Sequence, residues 1–306
     1  MNTAKLSIVI ITYNRPGDML ELAKNIAGLD NLELLAEVII VNNRSSESYA
    51  DVESFIANSP TVPFCYFKTE NNFGVSKGRN YAIQKSTAPI LLFLDDDAVF
   101  KNKDALLQTI NIFNDSVDVN RKAGIAAFKV YYESTLSLQQ TAFPHKQFEK
   151  RKNLHHFETY YYAGCAHAIK REVFDNVGMY PDSFFYGMEE YDLSYRCIRA
   201  GYKIIYDDRV VVLHKESPEG RLTNKEKLRG MWVNKATVAW KYLPVKYFYT
   251  TALLWSFQYL IKTSFHFKGW VKGWVQVFKI PASEIRKPIG KNDLCYLAKV
   301  KARLWY

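Results

Sequence analysis

Pro89-Ile90-Leu91-Leu92-Phe93-Leu94-Asp95-Asp96-Asp97 is the stretch that decides how this chain folds. Five apolar residues, Ile90 to Leu94, have the length and composition of a buried strand. Three carboxylates then arrive together at its carboxyl end, the end where open α/β sheets bind ligands. Adjacent carboxylates repel one another unless a cation or strong donors offset the charge. Hard divalent cations such as Mg2+ or Mn2+ take oxygen ligands and share them with substrate phosphates. A solvated acidic turn or a helix cap is the plainer reading of the run alone. The surrounding sequence favours the cation.

Outward from this run, apolar β-branched segments recur at Leu6–Ile11, Val38–Val41, Phe64–Phe67, Gly124–Tyr132, Tyr160–Ile169 and Lys203–Leu213. Helical patterns at Met19–Ala27, Tyr49–Asn58 and Ser76–Lys85 separate the first four strands. This β-α-β-α alternation predicts an α/β fold, a mostly parallel central sheet flanked by helices. Beyond Asp97 the pattern is mixed, with a short helix expected near Glu189–Ala200.

The polar residues fall at the expected strand ends. Thr12-Tyr13-Asn14-Arg15 follows the first strand and Asn42-Asn43-Arg44 the second. Asn71-Asn72-Phe73-Gly74 and Lys77-Gly78-Arg79-Asn80 come next. Each piece alone reads as an ordinary turn or surface charge. In this order they converge on one crevice and suit a ligand with a base, a ribose and a charged diphosphate. Further on, Glu189, Glu190 and Asp192 open the short helix, where negative charge is favoured. Asp192 and Arg196 are four apart and pair on that helix, leaving Glu189 and Glu190 as alternative general bases. His214, at the end of the last strand, is a candidate metal ligand.

At these residues the chain resembles family 2 glycosyltransferases. SIVIITYNR, VIIVNNRSS, NNFGVSKGRN, LLFLDDDAVF and FFYGMEEYDLSYR…AGY…VVLHK are similar to that family's successive motifs. The resemblance covers about residues 5–216 and is nearest to bacterial members that build O-antigen or capsule polysaccharide. It implies a GT-A, Rossmann-like catalytic domain over 1–216, with a nucleotide-sugar half to about residue 100 and an acceptor half after it. It implies that Thr12, Tyr13, Asn14, Arg15, Asn42, Asn43, Lys77, Arg79, Asp95 and Asp96 hold the nucleotide sugar. Asp95, Asp97 and His214 would hold Mn2+ or Mg2+, and Glu190, preceded by Glu189, would be the base. Two departures stand out. Asn42-Asn43 occupies a place where the family usually has Asp-Asp or Asp-Asn, which leaves the nucleotide base open. Glu189-Glu190 replaces the usual Glu-Asp, which leaves the choice between the two open. The implied reaction is inverting transfer from a nucleotide sugar, UDP-linked by preference and dTDP-linked as second choice. The acceptor would be a hydroxyl of a glycan or lipid-linked saccharide.

Composition bounds the rest. Net charge is +10, but residues 215–306 carry 18 Lys+Arg against 5 Asp+Glu, so the front of the chain is slightly acidic. Residues 217–306 read as a helical, aromatic, basic extension. Within it, Tyr247–Ile261 has no formal charge but is shorter than the ~20 residues that span a bilayer. On a helix, Lys268, Lys272 and Lys279 share one face, and Trp270, Trp274, Val277 and Phe278 the opposite one. This predicts an anionic membrane surface as partner for 243–280, with packing on the catalytic domain or on a second copy of the chain as the alternative. No nucleic-acid motif is visible. Four dispersed cysteines and the lack of a cleavable leader suit the cytoplasmic side of a membrane. Two other classes compete. A sugar nucleotidyltransferase would want a Gly-rich phosphate loop after the first strand, where this chain has Thr-Tyr-Asn-Arg-Pro-Gly-Asp. A non-catalytic sugar-nucleotide-binding protein would not need Asp97, Glu190 and His214 together.

Overall fold

The computed structural model describes residues 5–116, 121–219 and 223–304. Four strands, β1 (Leu6–Thr12), β2 (Leu35–Asn42), β3 (Phe64–Lys68) and β4 (Ile90–Asp95), pair in parallel in the order β3-β2-β1-β4. Between them run α1 (Pro16–Ala27), α2 (Ala50–Ala57) and α3 (Gly74–Lys85). The period-2 alternation divides the strand side chains between two layers. Leu6, Ile8 and Ile10 face a core shared with α1, while Val9, Leu91 and Phe93 face one shared with α3. Because both faces are covered, these strands read as continuous apolar runs.

The sheet continues through β8 (Ala166–Lys170), β6 (Ala123–Tyr132) and β9 (Lys203–His214) to β5 (Ala98–Phe100). β8 lies antiparallel to both β4 and β6, and β6 and β9 are parallel. β7 (His156–Thr159) pairs with the start of β9. The remaining helices of this part are α4 (Ala105–Asp115), α5 (Phe148–Arg151), α6 (Arg171–Val177) and α7 (Glu189–Arg199). Two registers matter for the site. Ile11 pairs with Asp95, and Ala98 pairs with His214, which sets the imidazole beside Asp97.

The expected strand Tyr160–Ile169 is not continuous. The chain leaves β7 at Thr159, turns through Gly164-Cys165 and resumes pairing at Ala166. The three tyrosines in between are buried aromatics rather than ladder residues, a difference that apolar content alone does not reveal.

After His214 come α8 (Asn224–Tyr242), α9 (Val245–Lys262), α10 (Phe267–Ser283) and α11 (Lys291–Lys299). Thr223 caps α8, accepting from the Glu226 amide, as a Ser/Thr-x-x-Glu sequence does. α8 and α11 add Val238, Tyr242, Tyr296 and Leu297 to the core on the α3 side of the sheet. Asp192 is the polar joint: it accepts from Arg196 on its own helix at 2.7 Å, and from Lys241 at 3.0 Å and Tyr242 at 2.9 Å on α8.

α8, α9 and α10 also form a second small core around Trp232. Gly273 lets α10 approach, since a Cβ there would stand 2.1 Å from the Trp232 ring. This packing corrects the expected outward face of α10. Trp270 and Trp274 pack partly buried against the small core, and Val277 is buried. Phe278 does face outward as expected, but its exposed apolar neighbours on α10 are Phe267, Val271 and Val275. Tyr249, Leu253, Phe257 and Ile261 form a matching stripe on α9, and Phe265 sits in the turn between the helices. Among the described residues no helix is long and apolar enough to cross a membrane.

Candidate active site

The carboxyl ends of β1, β2 and β4 open into a cleft of about 950 Å³. Thr12, Tyr13, Arg15, Asn43, Arg79, Asp95, Asp96, Glu189, Glu190 and His214 all line it. Asp97 lies just beneath, buried, within reach of Asp95 and His214. Asn14, Asn42 and Lys77 are not in its wall.

One side of the cleft is a carboxylate cluster clamped by Arg15. Its guanidinium lies 2.7 Å from Asp96 and 3.2 Å from Asp97, and donates to the Ser217 and Glu219 carbonyls. Burial, reinforced by Asp97, pushes the Asp96 carboxyl up to about 7 against the pull of Arg15. Asp95, Asp97 and His214 each offer a ligand atom, all within 4.8 Å of one another. His214 Nδ1 faces the Gln139 side-chain oxygen at 3.0 Å, and Nε2 faces Asp97 at 3.2 Å. With Nδ1 donating to Gln139, the Nε2 lone pair points at the carboxylates, the usual orientation of a metal-binding imidazole held from behind. Burial of His214 opposes protonation, but Asp97 and then Cys165 outweigh it and push the imidazole up to about 11. Two carboxylates and an imidazole fit Mg2+ or Mn2+.

The other side is organised by Arg79, buried at the centre of α3. It stands 3.1 Å from Glu190, 3.2 Å from Glu189 and 3.4 Å from Asp95, and donates to the Gly164 carbonyl at 3.0 Å. Burial opposes its charge, but Glu190, then Tyr180, Glu189 and Asp95, hold its pKa above the ordinary range. Arg79 thus links Asp95 to the acidic pair of α7, a role beyond the nucleotide contact expected of it. The two glutamates differ. Glu189 has 3 % of its side chain exposed, and burial followed by repulsion from Glu190 holds its carboxyl well above the usual range. Glu190 has 14 % exposed and faces the cleft. Gly164 makes room for it: a Cβ there would stand 2.2 Å from Glu190 Oε1.

The asparagines stitch loops. Asn42 donates to Tyr66 and accepts from the Ser45 amide. Asn43 donates to Asn72 and the Gly74 carbonyl and accepts from the Phe73 amide, holding the 69–74 segment against β2. Gly74 has φ +70°, and a Cβ would meet the Phe185 carbonyl at 2.5 Å. Asn14 accepts from the Ser46 amide, and exposed Lys77 lies over the Phe73 ring. Sequence reasoning missed Gln139 and Gly164. Neither sits in a local pattern that marks it; each matters only through a partner distant in sequence.

Family comparison agrees with this geometry. The model of "Glycosyl transferase family 2" matches residues 7–178, and the chain belongs to that family. An O-antigen chain rhamnosyltransferase, WbaN of Salmonella anatum, is 25 % identical over 189 residues, covering 60 % of this chain and 57 % of that protein. Among solved structures, S. aureus TarS 1–349 in complex with UDP-GlcNAc superposes with a TM-score of 0.62 at 14 % identity, covering 97 % of this chain and 88 % of that one. The mannosyltransferase PcManGT from Pyrobaculum calidifontis, in complex with GDP-Man and Mn2+, gives 0.57 at 15 %, covering 96 % and 79 %. At these identities the structural likeness is one of fold, and that fold is GT-A.

Proposed function

We propose that this glycosyltransferase moves a sugar, with inversion, from a nucleotide sugar to an acceptor hydroxyl deprotonated by Glu190. UDP-sugars are the favoured donors and dTDP-sugars the second choice. The observation that carries the reading is the Arg79 bridge, which sets one semi-exposed glutamate beside the carboxylate–imidazole cluster. Asp95, Asp97 and His214 would hold Mn2+ or Mg2+, which when bound offsets the charge of the departing diphosphate. Mn2+ beside GDP-Man in PcManGT supports that assignment. Glu189, buried and inclined to keep its proton, holds Arg79 in place, while Glu190 takes the hydroxyl proton. The acceptor enters past Tyr161, Tyr191 and the α8–α9 wall of the cleft. A glycan or lipid-linked saccharide in surface polysaccharide synthesis is the acceptor class. The α9–α10 hairpin supports a place at the cytoplasmic membrane face, because its outward stripe is apolar and Lys246, Lys262, Lys268, Lys272 and Lys279 border it.

The test compares Glu190→Gln with Glu189→Gln. Glu190→Gln keeps donor binding and lowers turnover by about 10²–10⁴. A larger turnover loss in Glu189→Gln exchanges the two roles, and unchanged turnover in both removes the base assignment.

A further inference from the structure

The cleft has a second electrostatic pole, away from the carboxylates. Lys146, Lys235, Lys262 and Arg303 line it, drawn from the segment before α5, from α8, from the end of α9 and from the chain after α11. Its floor is a pair of tyrosines. Tyr161 and Tyr191 stack with ring centroids 4.8 Å apart. The Lys235 ammonium stands 3.4 Å from the Tyr191 centroid, and the Lys146 ammonium 5.4 Å from that of Tyr161. Several other cations of the domain are matched by carboxylates: Arg15 by Asp96, Arg79 by Asp95 and both glutamates, Arg121 by Asp293, Lys241 by Asp192. Among the described residues neither Lys146 nor Lys235 makes an ion pair with a carboxylate. Burial, then Lys146 and Arg303, hold the Lys235 pKa well below its ordinary range. Burial, then Arg303 and Lys262, lower that of Lys146. Cations gathered in a concave wall at a cost to their own charged forms suit an anionic ligand.

The position says which anion. Tyr191 follows Glu190 directly on α7, so the pole adjoins the base, while a cation held by Asp95, Asp97 and His214 would offset the charge of the donor diphosphate. We infer that Lys146 and Lys235, with Arg303 beside them, form a subsite for a phosphoryl group carried by the acceptor, which fixes the sugar hydroxyl against Glu190. This rests on the acceptor lying at Glu190, as proposed above. The phosphoryl group has two chemical sources: the phosphate or diphosphate that joins a saccharide to a lipid, or a phosphodiester within a water-soluble glycan. Lys262 follows Ile261 of the exposed hairpin stripe, so the pole and the apolar surface adjoin along α9.

The probe is inorganic pyrophosphate, titrated calorimetrically into the full chain in EDTA, so that the carboxylate cluster cannot hold it through a metal. The wild type binds. Lys146→Gln and Lys235→Met each weaken binding about tenfold or more, the scale of one charge-assisted contact. Nucleotide binding in Mn2+ stays unchanged. Lys235→Met also raises the melting temperature, because it removes a half-buried charge repelled by Lys146 and Arg303; a lysine with only a packing role would leave pyrophosphate affinity untouched. Farnesyl diphosphate separates the two sources. Binding more than tenfold tighter than pyrophosphate, lost in Phe278→Ser, identifies a lipid-linked acceptor, and equal binding identifies a phosphate of a water-soluble glycan. Absence of pyrophosphate binding by the wild type, or equal binding by both variants, overturns the subsite. Because this readout needs no turnover, failure of the Glu190 assignment is seen separately.

Discussion

Gly164 gives the most demanding test of the site's geometry. Its α-carbon faces the pair that defines the catalytic side. A Cβ built on it lies 2.2 Å from Glu190 Oε1 and 2.9 Å from Arg79 Nη2. Ordinary contact begins near 3.4 Å, so Gly164→Ala forces the Glu190 carboxylate back by about 1.2 Å, a displacement that costs on the order of 10²-fold in rate for a positioned group. That corresponds to about 2.7 kcal/mol of transition-state stabilisation. The backbone itself is not strained by the substitution, so the fold and donor binding should survive. The assay is steady-state donor turnover with the nucleotide sugar that most raises the melting temperature, alongside donor affinity. Turnover falls about 10²-fold while affinity changes less than about threefold. Glu190→Asp, one methylene shorter, relieves the clash. The double variant therefore turns over faster than the product of the two single effects, a positive coupling between contacting sites. Gly164→Ala with wild-type turnover would refute the packing of Glu190 against this backbone. Strict additivity in the double variant would refute the clash as the cause.

Three further outcomes follow from other parts of the structure. Asp97→Ala removes divalent-cation dependence together with transfer, and full wild-type activity after EDTA treatment would contradict the cation site. Phe278→Glu with Val271→Glu lowers sedimentation with anionic vesicles by roughly tenfold or more without loss of melting temperature, whereas Trp270→Ala with Trp274→Ala lowers the melting temperature, because those rings pack against the Trp232 core; if the vesicles never bind and the wild type dimerises through this stripe, the face belongs to a second copy. Asp207 is held at about 2, since hydrogen bonds from His156 and Arg209 outweigh the burial that would raise it. A folded-state value below the unfolded one stabilises above about pH 4 and is lost as pH falls towards 2, so Asp207→Asn removes ~2 kcal/mol at neutral pH and little near pH 2, read by denaturant unfolding at the two pH values.

The first half of the fold was legible because its strands are buried on both faces and its helices keep apolar period. The acidic clusters were legible because like charges in sequence need a common reason. What escaped was set by pairing across the chain. Arg79 reads as a surface cation until α3 turns it towards α7. Gln139 and Gly164 carry no charge and stand in no motif. The Tyr160–Tyr162 run has strand composition, yet the turn at Gly164 removes it from the ladder. On α10 the tryptophans were placed outward because helical angle alone cannot say which side meets a neighbour, and Gly269 and Gly273, the residues that admit Tyr259 and Trp232, were the unread signal. The cationic pole comes from four separated segments, so no window of sequence contains it.

The central claim is a single displacement driven by Glu190, and the anomeric configuration of the first-formed product tests it most directly. Proton NMR of the sugar transferred, or released to water, in the presence of Mn2+ should show the anomer opposite to that of the donor before mutarotation sets in, with the signal reduced about 10²–10⁴-fold in Glu190→Gln. A first-formed product with the donor's own configuration would contradict the single displacement and the role of Glu190 in it.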